Sequence, residues 1–307
     1  MVIIDKALCH RKQDLLAYFR DRAAESLDEV KLSYGTTQFR EQASALNTAN
    51  TNTRDNLLKT VLQKAHSEKW QNEEILPCIL MVTYTNYIVM LEYRNEVWPY
   101  EYMTFSRRIG ELWQPFCRLC FDHPVNELTL FVPPLFSEVQ VKLTKEIEEY
   151  IEKLPISSRQ KEDLMKYYNK VWGLVTSGEI KLELDLHFEQ GGRKFVVDFK
   201  SGFGSNEKGN TNRLLLVGSI YKNLEENYDC LLFVRAEEDK NNNYFQVLKN
   251  SGIWQAYCGG ETYQKIEEYS GFKIRQWIEN NIDWDTDFRS VTMQYLRDNN
   301  LEQYLIW

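Results

Sequence analysis

Apolar side chains recur at helical spacing over residues 5–30, where Leu8, Leu15, Leu16, Phe19 and Ala23 share one face. A polar tract rich in Thr, Asn, Gln and Ser runs from Ser33 to Asn56, and a second helical pattern covers 55–69. Two β-rich runs, 79–84 and 87–93, flank Thr85-Asn86 and predict a hairpin. A helix over 104–121, a short strand over 128–132 closed by Pro133-Pro134, and an amphipathic helix over 138–153 complete the first half.

The rhythm then changes. The pattern predicts a helix over 157–176 from the Ser157-Ser158 cap, strands over 180–188 and 193–200, and a glycine-rich loop. A helix over 211–224, strands over 229–236 and 244–248 beside the Asn241–Asn243 turn, and helices over 261–280 and 286–304 follow. Helix–strand–strand–helix–strand is an α/β order. It suggests a division near 150, with residues 151–307 forming the core and residues 1–150 a mainly helical elaboration that contains the hairpin.

The segment 180–202 concentrates the chemistry. Side chains on a strand alternate between faces, so Leu182, Leu184, Leu186 and Phe188 take one side and Lys181, Glu183, Asp185 and His187 the other. On the second strand Phe195, Val197 and Phe199 oppose Val196, Asp198 and Lys200. Gly191-Gly192 suits a two-residue hairpin loop because both positions tolerate positive φ. That loop sets Gln190 against Arg193, Asp185 against Asp198 and Glu183 against Lys200, with opposed Cβ atoms roughly 5 Å apart. Two facing carboxylates repel unless a proton, a lysine or a cation lies between them. Oxygen ligands in that arrangement suit Mg²⁺, for which Mn²⁺ can substitute. A neighbouring ammonium adds positive charge where a phosphodiester develops negative charge. The same residues also read as an ordinary Glu183–Lys200 cross-strand ion pair beside splayed aspartates on a solvated face.

Asp185, followed after the turn by Asp198-Phe199-Lys200, resembles the PD-(D/E)XK nuclease superfamily, as do the element order and the Glu183-x-Asp185 and Lys200-Ser201-Gly202 sequences. The proline of that family's motif is replaced by Leu184. The resemblance covers about residues 157–236. It implies a restriction-endonuclease-like core, with a mixed central sheet flanked by helices, that hydrolyses DNA in a Mg²⁺-dependent way. It makes Asp185 and Asp198 metal ligands and gives Lys200 the attacking water. Glu183 becomes a ligand or a support, and a helix glutamate such as Glu162 completes the set. A sequence-specific restriction enzyme is the leading expectation, acting on double-stranded DNA as a homodimer. A nuclease of repair, recombination or phage defence, or a non-catalytic DNA-binding module on the same fold, remain alternatives.

Further candidates for DNA contact are Lys208 and Arg213, at the glycine-rich loop and its helix, together with Arg40, Arg54, Arg107 and Arg108. Tyr221 and Lys222 lie farther along that helix, and each also reads as plain surface or core, as does His187. The net charge of −8 argues against indiscriminate polyanion binding, although local basic surface matters more. No apolar run reaches the roughly 18–20 residues of a membrane helix, and the start lacks a secretion signal, so a cytoplasmic location is expected. The six cysteines follow no framework spacing and read as free thiols. Cys117, Cys120 and His123 lack a second pair of zinc ligands, and the run around them reads as core.

Overall fold

The computed structural model describes residues 2–35, 37–175, 180–224 and 228–307. After a 3-10 turn over Lys6–His10, three long helices follow: α1 (Lys12–Tyr34), α2 (Phe39–Glu68) and α3 (Asn72–Val97). Helix α1 buries Leu15, Leu16, Phe19, Ala23, Leu27 and Val30, the stripe expected of it. The polar tract is the first half of α2, because Gln42, Leu46 and Asn50 recur every four residues and continue into Leu57, Val61 and Ala65. A helix can follow so polar a sequence when one narrow stripe is buried.

The hairpin expected over 79–93 is instead the middle of α3. Every residue from Cys78 to Asn95 is buried, so this helix is enclosed all round and shows neither helical nor strand periodicity. Its start is fixed by a capping box in which the Gln71 backbone N–H donates to Glu74 at 3.0 Å. Thr85 and Asn86 do not turn the chain. The Thr85 hydroxyl donates to the Met81 carbonyl at 2.7 Å, and Asn86 reaches across to the Asn50 carbonyl of α2 at 3.0 Å. In length and composition α3 could cross a membrane, contrary to the sequence reading, but 83% of its apolar window is buried within the protein.

Helix α4 (Tyr102–Asp122) leads to a five-stranded mixed sheet ordered β1 (Thr129–Leu130), β2 (Leu186–Gln190), β3 (Arg193–Lys200), β4 (Tyr228–Val234), β5 (Trp254–Cys258). The first three strands pair antiparallel, and β3, β4 and β5 run parallel. Helices α5 (Phe136–Lys153) and α6 (Ser158–Val175) separate β1 from β2. Helix α7 (Lys208–Lys222) crosses from β3 to β4, and α8 (Asn243–Lys249) from β4 to β5. Residues 244–248, expected as a strand, belong to α8, whose start is capped by the Asn242 side chain accepting from Tyr244 N–H at 2.9 Å. The fifth strand lies one element later. Helices α9 (Gly260–Ser270), α10 (Ile274–Asn281), α11 (Trp284–Asp287) and α12 (Ser290–Asp298) close the chain.

Both faces of the sheet are covered. Leu186, Phe188, Phe195, Val197, Phe199, Leu231 and Phe233 face a core shared with α1–α4 and the C-terminal helices. That core therefore draws on residues from both sides of position 150. Val196, Cys230, Leu232 and Val234 face a second core, built with Val139 of α5, Leu214, Val217 and Tyr221 of α7, and Phe245 and Leu248 of α8. One deep cluster ties the chain ends to α3. Glu92 accepts from Arg20 at 2.7 and 3.0 Å and from the Arg289 backbone N–H at 2.6 Å. Nearby, the fully buried Asp287 accepts from Lys12 and Tyr84 at 2.9 and 2.7 Å.

Candidate functional site

The Gly191-Gly192 turn adopts φ of +59° and +74°, and the strands pair Gln190 with Arg193 through to Leu186 with Val197, the register expected from sequence. The next rung would be Asp185 opposite Asp198, but β2 begins only at Leu186. At Asp185 the backbone bends, and its side chain takes over from the ladder: Oδ2 accepts from the Phe199 N–H at 2.7 Å. Helix α4 holds the bend from the other side, where Arg118 donates to the Asp185 carbonyl at 2.7 Å. Before the bend the facing is reversed. Leu182 and Leu184 join the second core rather than the core that takes Leu186 and Phe188. Glu183 is exposed outside any strand, so its expected pairing with Lys200 does not form.

Asp198 is 1% exposed. Lys200 Nζ donates to its Oδ1 and, at 3.2 Å, to the Phe199 carbonyl, while Arg213 of α7 donates to Oδ2 at 3.1 Å. Burial pushes the Asp198 carboxyl above the usual carboxylate range, and the charge of Asp185 adds to that. Lys200 and Arg213 oppose the shift without cancelling it. The cations are less enclosed than the carboxylate, with side chains 17% and 42% exposed. Arg213, expected to meet phosphate, is thus a carboxylate partner that still reaches solvent.

The chain matches no known protein family, no curated protein and no solved structure.

Asp185 Oδ1 carries no hydrogen bond among the described residues, and the Asp198 carboxylate stands close enough to Asp185 to feel its charge. Among the described residues no three His, Cys, Asp or Glu side chains converge as a metal cluster. Two carboxylates supplemented by water and substrate oxygens are nevertheless the usual protein share of a Mg²⁺ site. The donors fit a hard divalent cation on condition that Lys200 and Arg213 yield their places on Asp198. An apolar cleft of about 570 Å³ opens beside the approach to Asp185, between Val132–Phe136 and Ile180–Glu183.

The other sequence candidates scatter. Glu162 is exposed on α6, which packs on α5, and makes no ion pair with the cluster among the described residues. Lys208 is exposed at the start of α7. Arg40 is exposed on α2, and Arg54 on the same helix pairs with Asp55 and lies over the Tyr87 ring. Arg107 and Arg108 share Glu111, and Arg108 also reaches Met90 Sδ. Lys222 pairs with Asp229, and the Tyr221 hydroxyl donates to the Leu182 carbonyl at 2.7 Å, holding the segment before the bend. His187 is a neutral core imidazole whose pKa burial lowers to about 4, and its Nε2 accepts from the Leu184 N–H. Cys117 and Cys120 are fully buried in the first core, so they are packing residues.

Sequence reasoning missed Arg118 and Gly110. Arg118 reads as a helix-surface residue paired with Asp122, and nothing local signals a partner 67 residues away. Gly110 marks a close approach of α4 to the end of β3: a Cβ there would stand 2.7 Å from Ser201 Cβ, one residue beyond Lys200. A lone glycine inside a helical pattern is the available signal.

Proposed function

We propose that this protein is a divalent-metal-dependent endonuclease that hydrolyses DNA phosphodiester bonds, on a restriction-endonuclease-like core and as a sequence-specific homodimer in the cytoplasm. The observation that carries the reading is the convergence of Asp185 and Asp198 at the bend before β2, with Lys200 and Arg213 on Asp198. Asp185 and Asp198 would hold Mg²⁺ or Mn²⁺, which supplies Lewis acidity toward the phosphate when bound. Lys200 and Arg213 offset part of the cost of burying the Asp198 carboxylate and have the exposure to transfer to non-bridging phosphate oxygens. Arg118 and the Phe199 N–H orient Asp185, and Tyr221 fixes the irregular segment leading into it.

A second reading, a DNA-binding module without the reaction, is favoured by the closed ion pairs around Asp198. One assay separates the two. Supercoiled plasmid incubated with Mg²⁺ is nicked or linearised by the wild type, and Lys200→Ala lowers the rate by roughly 10²-fold or more. If neither protein cuts any DNA substrate while both bind DNA equally well, the enzyme reading is wrong and the binding module stands.

A further inference from the structure

A second chemical feature lies far along the chain from the carboxylates, where the N-terminal 3-10 turn meets α3. Cys9 Sγ and Cys78 Sγ both approach the Lys6 carbonyl oxygen, at 3.4 and 3.7 Å. The two sulfurs thus share one acceptor, and each lies close enough to shift the ionisation of the other. Their surroundings differ. Cys78 is fully buried on α3, whereas Cys9 is half-buried and lines a surface cavity of about 380 Å³ with His10, Pro77, Lys273 and Trp277.

From this geometry we infer that Cys9 and Cys78 form a peroxide-reactive dithiol, with Cys9 as the attacking thiol and Cys78 as the resolving one. The cavity gives a small hydroperoxide access to Cys9 and to no sulfur deeper than it. The Cys78 thiol beside it holds the Cys9 thiol down to about 6, and the nearby His10 acts in the same direction, against burial and Asp5. Among the six cysteines Cys9 is the one whose thiol is shifted downward, because burial raises Cys117, Cys120, Cys230 and Cys258, and Cys9 itself raises Cys78.

The reaction closes on these two residues and the peroxide. The Cys9 thiolate attacks a peroxide oxygen, the O–O bond breaks, and the departing hydroxide takes up a proton to leave as water. Cys78 sulfur then attacks the sulfur of the Cys9 sulfenic acid and displaces its oxygen, which leaves as a second water with the Cys78 proton. Two electrons pass from the thiol pair to the peroxide, and the product is a Cys9–Cys78 disulfide linking the 3-10 turn to α3.

The full-length protein is treated with one equivalent of hydrogen peroxide, quenched with N-ethylmaleimide under denaturing conditions, and mapped by mass spectrometry. Wild type is expected to lose two of its six thiols and to yield a peptide pair joined through Cys9 and Cys78. Cys78→Ser should stop at the sulfenic acid, which dimedone labels at Cys9 roughly tenfold faster than at Cys258. Cys9→Ser should keep its remaining thiols, and its circular dichroism should match the wild type. Oxidation first at another cysteine, or thiol loss in Cys9→Ser at the wild-type rate, would overturn the assignment.

Discussion

Replacing Asp198 by asparagine keeps the shape of the side chain and removes its charge, so it tests whether the candidate site is a source of stability or a cost. The carboxylate is 1% exposed, while the side chains of its partners Lys200 and Arg213 are 17% and 42% exposed. Loss of the carboxylate therefore leaves two cations that can turn to water, not a stranded buried charge. Burial is the largest influence on Asp198 and raises its pKa despite both cations. A raised carboxyl pKa means that the folded state holds the proton more tightly than the unfolded chain. Below the unfolded value both states are protonated and the variant should match the wild type. As pH rises through the folded pKa the wild type must bury the charge and loses stability that the asparagine keeps. Exchanging buried ion pairs for neutral groups is worth up to a few kcal/mol, and here only one ion is deeply buried, so a gain of roughly 1–2 kcal/mol at pH 7 is expected. With a urea slope of about 3 kcal/mol/M for a chain of this size, the unfolding midpoint should move up by about half a molar. Urea titrations of both proteins at about pH 3, below the unfolded carboxyl value, and at pH 7 read this directly. A lower midpoint for Asp198→Asn at pH 7 would show that the ion pairs outweigh burial and refute the argument. The same variant should lose plasmid cleavage.

Gly110→Ala should destabilise by about 1–3 kcal/mol in thermal unfolding, because the added Cβ lies 2.7 Å from Ser201 Cβ, and Ser201→Gly in the same chain should restore most of the loss. Glu92→Gln turns one of the two oxygens that accept from Arg20 and from the Arg289 backbone N–H into a donor, so a buried N–H loses its acceptor and urea unfolding should show a cost of about 1–3 kcal/mol, whereas a change below about 0.5 kcal/mol would mean that water replaces it.

The antiparallel register of β2 and β3 was legible because Gly-Gly dictates a turn type and the alternation then has one solution. The limit of that logic lies at Asp185, where a side-chain hydrogen bond to Phe199 replaces a backbone one, the strand ends, and Leu182, Leu184 and Glu183 leave the expected faces. Alternation presumes a continuous ladder and cannot announce where a side chain interrupts it. Helix α3 was misread because enclosure on all sides erases the polar face on which periodicity depends. In α8, Tyr244, Phe245 and Val247 favour a strand by type, but Asn242 caps a helix. The candidate carboxylates were legible from local order. Arg118 and the second role of Arg213 were not, since each depends on helices brought over the sheet by the tertiary fold.

Glu92 is an acceptor on α3 upon which residues 20 and 289 both close. During synthesis the acceptor and its first guanidinium emerge early, but the second follows 197 residues behind Glu92. Until then α3 lacks part of its wall, and the nascent N-terminal helices carry greasy surface that the helices after β5 help to conceal. Shortened chains ending before residue 289 should accordingly accumulate as chaperone-bound or aggregated species instead of a free-standing N-terminal half.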